Sequence, residues 1–180
     1  MTSESNLARR SARVLVVDSA HRILLLRYTV DRQRRWLTPG GRVDDGEPLA
    51  VAAARELLEE IGLAVAADDL GRPVAWSSGH VEADWIQGVL RDDFFLLRVD
   101  HHQVRTAGME ELEASSYDGH RWWTMAELVA TDEPVHPIGL AALVIELCAG
   151  TGRPTTGPVE LPWRHDDARA PGEDGPSPVE

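Results

Sequence analysis

A single cysteine, Cys148, stands in this 180-residue chain, so no internal disulfide is open to it. It falls in the apolar run Leu140 to Cys148, where a buried structural thiol is the expected reading and a nucleophile is not. No run approaches the length of a bilayer span, and the polar, charged stretch Thr2 to Ser11 does not resemble a signal sequence. Both absences point to a cytoplasmic protein. Positive charge is scarce as well: 18 Lys plus Arg against 30 Asp plus Glu leave a formal net charge of -12. That balance disfavours a nucleic acid duplex or an anionic membrane as partner. Aromatic residues other than the six tryptophans are few, and the seven histidines show no paired ligand spacing on a recognisable helix. Internal repeats are absent.

What is there suffices for one full core, since 43% of the residues are hydrophobic, and leaves little room for a second domain. The chain divides into a flexible N-terminus (1–11), a domain (12–150) and a tail (151–180). Six of the eleven prolines fall in that tail with glycine, threonine and acids, which predicts an extended or disordered segment. Leu161 and Trp163 are exceptions there, able to dock on the domain or on a neighbouring subunit, and a homodimer stays open.

Ala12 to Val17 and Arg22 to Tyr28 read as strands of a hairpin turning at Asp18 to His21. Arg27 to Arg35 reads as a polar loop holding Arg27, Arg32, Arg34 and Arg35, a basic island in an acidic chain. It is either solvated or placed to meet substrate phosphates, because it leads directly to Trp36. Asp69 to Ser77, Trp85 to Leu90 and Asp93 to Val99 are further expected strands, and 100–118 is an expected polar loop. Arg121 to Trp123 reads as a short strand. Thr124 with Glu127 forms a capping-box pattern opening a helix through Val129, and Pro134 and Pro137 precede a last helix at about 138–149. Core packing is the expected role of most tryptophans; Trp36 also has a case as a stacking surface for a nucleobase.

Between these strands lies the most constrained stretch of the chain. Gly41, Glu47, Arg55-Glu56-Leu57, Glu59-Glu60 and Gly62-Leu63 occupy nine positions at a spacing that arises by chance at fewer than about one in 10⁸ starts. Pro48 and Gly62 mark the start and stop of a helix over 48–61. At roughly 100° per residue, Ala50, Ala54, Leu57 and Ile61 form its core stripe, and Glu56, Glu59 and Glu60 lie opposite. The acids are badly placed for helix stability: Glu59 and Glu60 sit at the negative end of the macrodipole, and all three repel one another. A divalent cation bound by hard oxygens reverses that repulsion.

The stretch, with Trp36-Leu37-Thr38-Pro39-Gly40-Gly41 before it, resembles the complete signature of the Nudix hydrolases, and the likeness extends over about 12–149. The resemblance implies an α/β (α+β) fold, an α/β/α sandwich around a mixed β-sheet; strands on both sides of the helix also favour a mixed sheet over repeated βαβ units. It implies Mg²⁺ or Mn²⁺ held by Glu56, Glu59, Glu60 and the Gly40 carbonyl. Arg55 would orient a catalytic glutamate, with Glu47 and Gly41 in support. The water-activating base would be a glutamate of the box or one of Glu110, Glu111 and Glu113, and Arg27, Arg35 and Trp36 would be candidates for substrate contact. The expected reaction is hydrolysis of a pyrophosphate bond in a small-molecule nucleoside diphosphate linked to another moiety, as in a nucleotide-sugar or ADP-ribose. Alternatives are a sanitiser of oxidised nucleoside triphosphates and a nucleotide-sensing module without turnover. The proline that tends to follow the box in ADP-ribose enzymes is missing, with Ser77 to Gly79 in that region.

Overall fold

The computed structural model describes residues 7–30, 32–83, 86–150 and 157–163. Strands β1 (Leu7–Val17) and β2 (Ile23–Val30) form the expected hairpin. Its turn is held by the Asp18 carboxylate, which accepts hydrogen bonds from the backbone N–H of Ala20 and Arg22 and from the Arg22 side chain. β1 starts earlier than the sequence suggested, within the expected flexible N-terminus. The reason is long-range: its first residues pair with a later strand, and Arg10 Nε lies 2.7 Å from Asp93.

The expected basic loop is also a hairpin. β2 runs on to Val30 and pairs antiparallel with β3 (Gln33–Leu37), with Arg32 at φ 64 in the reversal. β4 (Gly40–Arg42) then leads to helix α1 (Leu49–Ile61). The expected strand from Asp69 instead opens with helix α2 (Ala67–Leu70), whose first-turn Asp68 and Asp69 suit a helix N-terminus. β5 (Ala75–Ala83) follows, and the two strands expected next are one, β6 (Ile86–Arg98); Trp85 lies outside the described residues. β6 runs through the gap expected at Arg91 and Asp92, and both Arg91 and Arg10 of β1 pair with its Asp93. The expected polar loop contains α3 (Glu111–Ser116), followed directly by β7 (Tyr117–Trp123). The capping box at Thr124 and Glu127 is formed at the start of α4 (Met125–Ala130). β8 (Val135–His136), α5 (Leu140–Ala149) and β9 (Val159–Glu160) complete the described elements.

The sheet is mixed, in the order β8-β3-β2-β1-β6-β5-β9, with β4 on β1 and β7 on β2. β1 runs parallel to β6, β3 to β8 and β5 to β9, and the remaining pairs are antiparallel. Alternation along the strands sends neighbouring side chains to opposite faces. Val14, Val16, Leu24, Leu26 and Phe95 pack under α1, while Leu15, Val17, Ile23, Leu25 and Phe94 pack under α5. This is the α/β/α layering expected. Leu161, just beyond β9, joins the second core, so part of the segment after residue 150 belongs to the folded body. No helix among the described residues is long and apolar enough to cross a membrane.

Candidate active site

Gly62 ends α1 in a left-handed cap at φ 68, and Pro48 stands at its N-cap. Glu56 and Glu60 do not lie opposite the core stripe as the wheel suggested; they are buried along with Leu57 and Ile61. Glu56 and Glu60 are 5% and 2% exposed, while Val51 and Leu58 face outward. The cause is the glycine pair of β4, over which the acidic side is laid. A Cβ on Gly41 would lie 2.7–2.8 Å from the Glu56 carboxylate, and the Gly40 N–H donates to Glu60 Oε2 at 2.6 Å. The Gly40 carbonyl, expected as a metal ligand, accepts a hydrogen bond from Arg13. At φ 124 this glycine turns its amide to Glu60.

Helix α3 supplies the third acid. One carboxylate oxygen each from Glu56, Glu60 and Glu113 can lie within 4.8 Å of one another, and Glu113 Oε2 is buried without a hydrogen-bond partner. Of the three loop candidates Glu113 alone enters this group; Glu110 and Glu111 are exposed. Burial pushes Glu56 and Glu60 up to about 7. Burial, then the charge of Glu110, raises Glu113. Converging, desolvated carboxylates with an unsatisfied oxygen are the donor set a hard divalent cation takes, so these residues fit the metal implied by the sequence.

Glu59 is not a member of that group. Its Oε2 accepts from Arg55 Nη1 at 3.0 Å, and the same guanidinium reaches Glu56 Oε1 at 2.9 Å. Arg55 also holds both oxygens of Glu47 at 3.1 Å and the carbonyl of Arg42. Hydrogen bonding to Glu47 holds Arg55 above its ordinary range, and Arg55 in turn lowers Glu47. One arginine therefore ties the helix entry, the β4 end and two box acids into a fixed arrangement.

Two participants had no local signal. Tyr28 Oη donates to Glu60 Oε1 at 2.6 Å, and burial followed by the Glu60 charge holds this phenol far above its usual range. Arg13 also lines a cavity of about 340 Å³. Both reach the site through strand pairing, which spacing along the chain cannot reveal.

Beyond Arg13 the cavity is walled by Leu37, Phe94 and Pro137 and carries Ser77, Asp92 and Arg35. Arg35 thus lines this cavity, whereas Arg27 and Trp36 are engaged elsewhere. Arg27 pairs with Asp118 and lies over the Trp36 ring, its Cζ 5.3 Å from the centroid. Trp36 is 4% exposed, packs edge-on against Trp123 and donates from Nε1 to Glu133 at 2.9 Å. Its place is in the core, which removes the stacking surface expected of it.

Comparison with known proteins shows the family. A NUDIX domain model matches residues 7–143. The oxidized purine nucleoside triphosphate hydrolase of Danio rerio is 30% identical over 105 residues, which is 58% of this chain and 63% of that protein. The chain thus spans less than two thirds of that relative. The MutT protein of Methanosarcina mazei Go1 is similar in structure at TM-score 0.60 and 17% identity, covering 82% of this chain and 97% of that one. The NUDIX domain of Shewanella oneidensis NrtR, solved with ADP ribose, aligns at TM-score 0.58 and 13% identity, covering 81% and 90%. Matched over most of its length and built on the same sheet, the chain belongs to the NUDIX domain family.

Proposed function

We propose that this protein is a divalent-cation-dependent pyrophosphohydrolase of nucleotide derivatives. The observation that carries the reading is the convergence of Glu56, Glu60 and Glu113; Arg13, which lines the cavity, bonds to Gly40, whose amide holds Glu60. Glu56 and Glu60 would hold Mg²⁺ or Mn²⁺, with Glu113 as third donor and Glu59 at the rim. When bound, such an ion neutralises phosphate oxygens, activates water and stabilises the leaving phosphate. With a net charge of -12, the chain relies on this local positive charge to bring a diphosphate in. Arg13, between cavity and carboxylates, offers a guanidinium to phosphate oxygens. Glu113 keeps Oε2 unclaimed and is the candidate acceptor for the proton of the attacking water. Arg55 acts by position, holding Glu56 and Glu59 at fixed distances.

For the substrate, the ADP-ribose-like reading draws support from the NrtR domain solved with that ligand, at an identity that speaks for fold alone. The Danio rerio relative favours an oxidised purine nucleoside triphosphate, and this second reading now takes precedence. A panel of nucleoside triphosphates, ADP-ribose and nucleotide-sugars, assayed with Mg²⁺ and Mn²⁺ and read by product mass, decides. Triphosphates should yield pyrophosphate or phosphate, and ADP-ribose should yield AMP and ribose 5-phosphate. Tight nucleotide binding with no product in either metal would replace the enzyme by a sensing module.

A further inference from the structure

The cavity that Arg13 lines is not closed by the family domain alone. Two of its lining residues, Pro162 and Trp163, lie beyond residue 143, where the family match ends. They belong to a short strap tied to β5 by main-chain hydrogen bonds. β9 pairs parallel with β5, Val159 N–H donates to the Val74 carbonyl at 2.9 Å, and Leu161 N–H donates to the Trp76 carbonyl at 2.8 Å. Leu161, 8% exposed, then anchors the strap in the core between β5 and α5. The residue two positions on is Trp163.

The seat of this indole depends on a missing side chain. A Cβ on Gly79 of β5 would lie 1.9–2.4 Å from Cδ1, Cγ and Nε1 of Trp163, so only glycine admits the ring there. Gly79 has no left-handed φ and sits in a regular ladder opposite Leu90, so its backbone does not require glycine. Clearance for the ring is the function of the glycine that remains. The seated indole lines the cavity together with apolar Phe94 and Val81 and the polar groups of Ser77 and Asp92. A flat heterocycle with N–H donors on its edge matches such walls: the indole and phenyl offer apolar surface, and the carboxylate of Asp92 accepts hydrogen bonds.

We propose that the 157–163 strap is a built-in wall of the substrate cavity and that Trp163 is the residue on which the substrate's nucleobase stacks. This rests on the nucleotide reading above and extends it to a specificity residue outside the matched domain. The base lies at the Trp163 end, and the phosphates run past Arg13 to Glu56, Glu60 and Glu113.

The test uses the full chain and whichever nucleotide the wild type cleaves best. Trp163→Ala should raise KM about tenfold or more with kcat within about threefold, since a base stacked on an aromatic ring loses that contact. Trp163→Phe, which keeps a ring, should recover most of the loss. Gly79→Val should behave like Trp163→Ala, and the double variant should be no worse than either single, because both remove one seat. A KM in Trp163→Ala within twofold of the wild type overturns the stacking role; additive losses in the double variant overturn the seat at Gly79. Calorimetric titration of the same variants with dGTP, 8-oxo-dGTP and ADP-ribose in Ca²⁺ separates this from the failure of the parent reading. Affinity lost in Trp163→Ala without any turnover by the wild type would uphold the stacking and reject the hydrolase.

Discussion

Glu60 has both carboxylate oxygens engaged, one by Tyr28 Oη and one by the Gly40 amide. In Glu60→Gln the amide oxygen can still accept from Gly40, and the Tyr28 hydroxyl can turn to accept from the new NH₂ group. The fold should therefore persist, while turnover falls by about two orders of magnitude or more through loss of a negative ligand. Steady-state rates with Mg²⁺, beside a thermal melt, check this; full activity would remove Glu60 from the site. The adjacent glycines should respond differently to alanine. At Gly41 the new Cβ meets the far end of the Glu56 side chain, which can move, so Gly41→Ala should cost activity about tenfold with little change in melting. At Gly40 the Cβ meets the backbone of Ala12 at 2.2 Å and φ is 124, so Gly40→Ala should destabilise by roughly 2 kcal/mol or more. Equal effects of the two on stability would contradict the geometry. The box residues were readable because one helix and one turn set their spacing. Tyr28 and Arg13 were not singled out, because β-pairing brings them in from 32 and 47 residues away from Glu60; Glu113 was one of three loop candidates, and only the placement of α3 separates it from Glu110 and Glu111.

Elements with local punctuation were equally readable. The Thr124–Glu127 box, the Gly62 cap and the Asp18 turn all formed where side-chain chemistry placed them. Thr124→Ala removes the acceptor for the Glu127 N–H and should cost about 1 kcal/mol. That corresponds to a fall of roughly 2–4 °C in Tm for a chain of this size, measured by calorimetry; no fall would show that packing of Leu128 alone holds α4. Polar segments were misread where distant partners satisfy them. Arg27 to Arg35 looked like a loop because its charges have no local use, yet Asp118 of β7 takes Arg27 and Arg34. Arg91 and Asp92 looked like a gap between two strands, yet β6 runs through them, with Arg91 and Arg10 of β1 both paired to Asp93. Strand pairing between residues so far apart leaves little trace in a single sequence.

Across the whole molecule, the carboxyl groups divide into two sets with opposite pH dependence. Asp18 and Glu47 are lowered, so the stability they contribute is present above the unfolded value and is lost as pH falls through their folded values, below about 4. Glu56 and Glu60 are raised to about 7 by burial, so the folded chain binds more protons than the unfolded chain between the ordinary glutamate value and 7. Stability from this pair is intact below the unfolded value and disappears as pH rises through 7. The net charge of -12 works in the same direction, since deprotonation adds to self-repulsion. Between pH 5 and 8 the second set therefore governs, and metal-free protein in EDTA should melt on the order of 5 °C lower at pH 8 than at pH 5.5. A divalent cation that binds the ionised carboxylates should reverse this. Saturating Mg²⁺ or Mn²⁺ should raise Tm more at pH 8 than at pH 5.5, because at the lower pH protons must first be displaced. In Glu56→Gln/Glu60→Gln both the pH slope and the metal increment should largely vanish. A metal increment that survives in the double variant would place the ion elsewhere, and a slope that survives would assign the pH dependence to the remaining carboxyl groups, Glu113, itself raised by burial, among them.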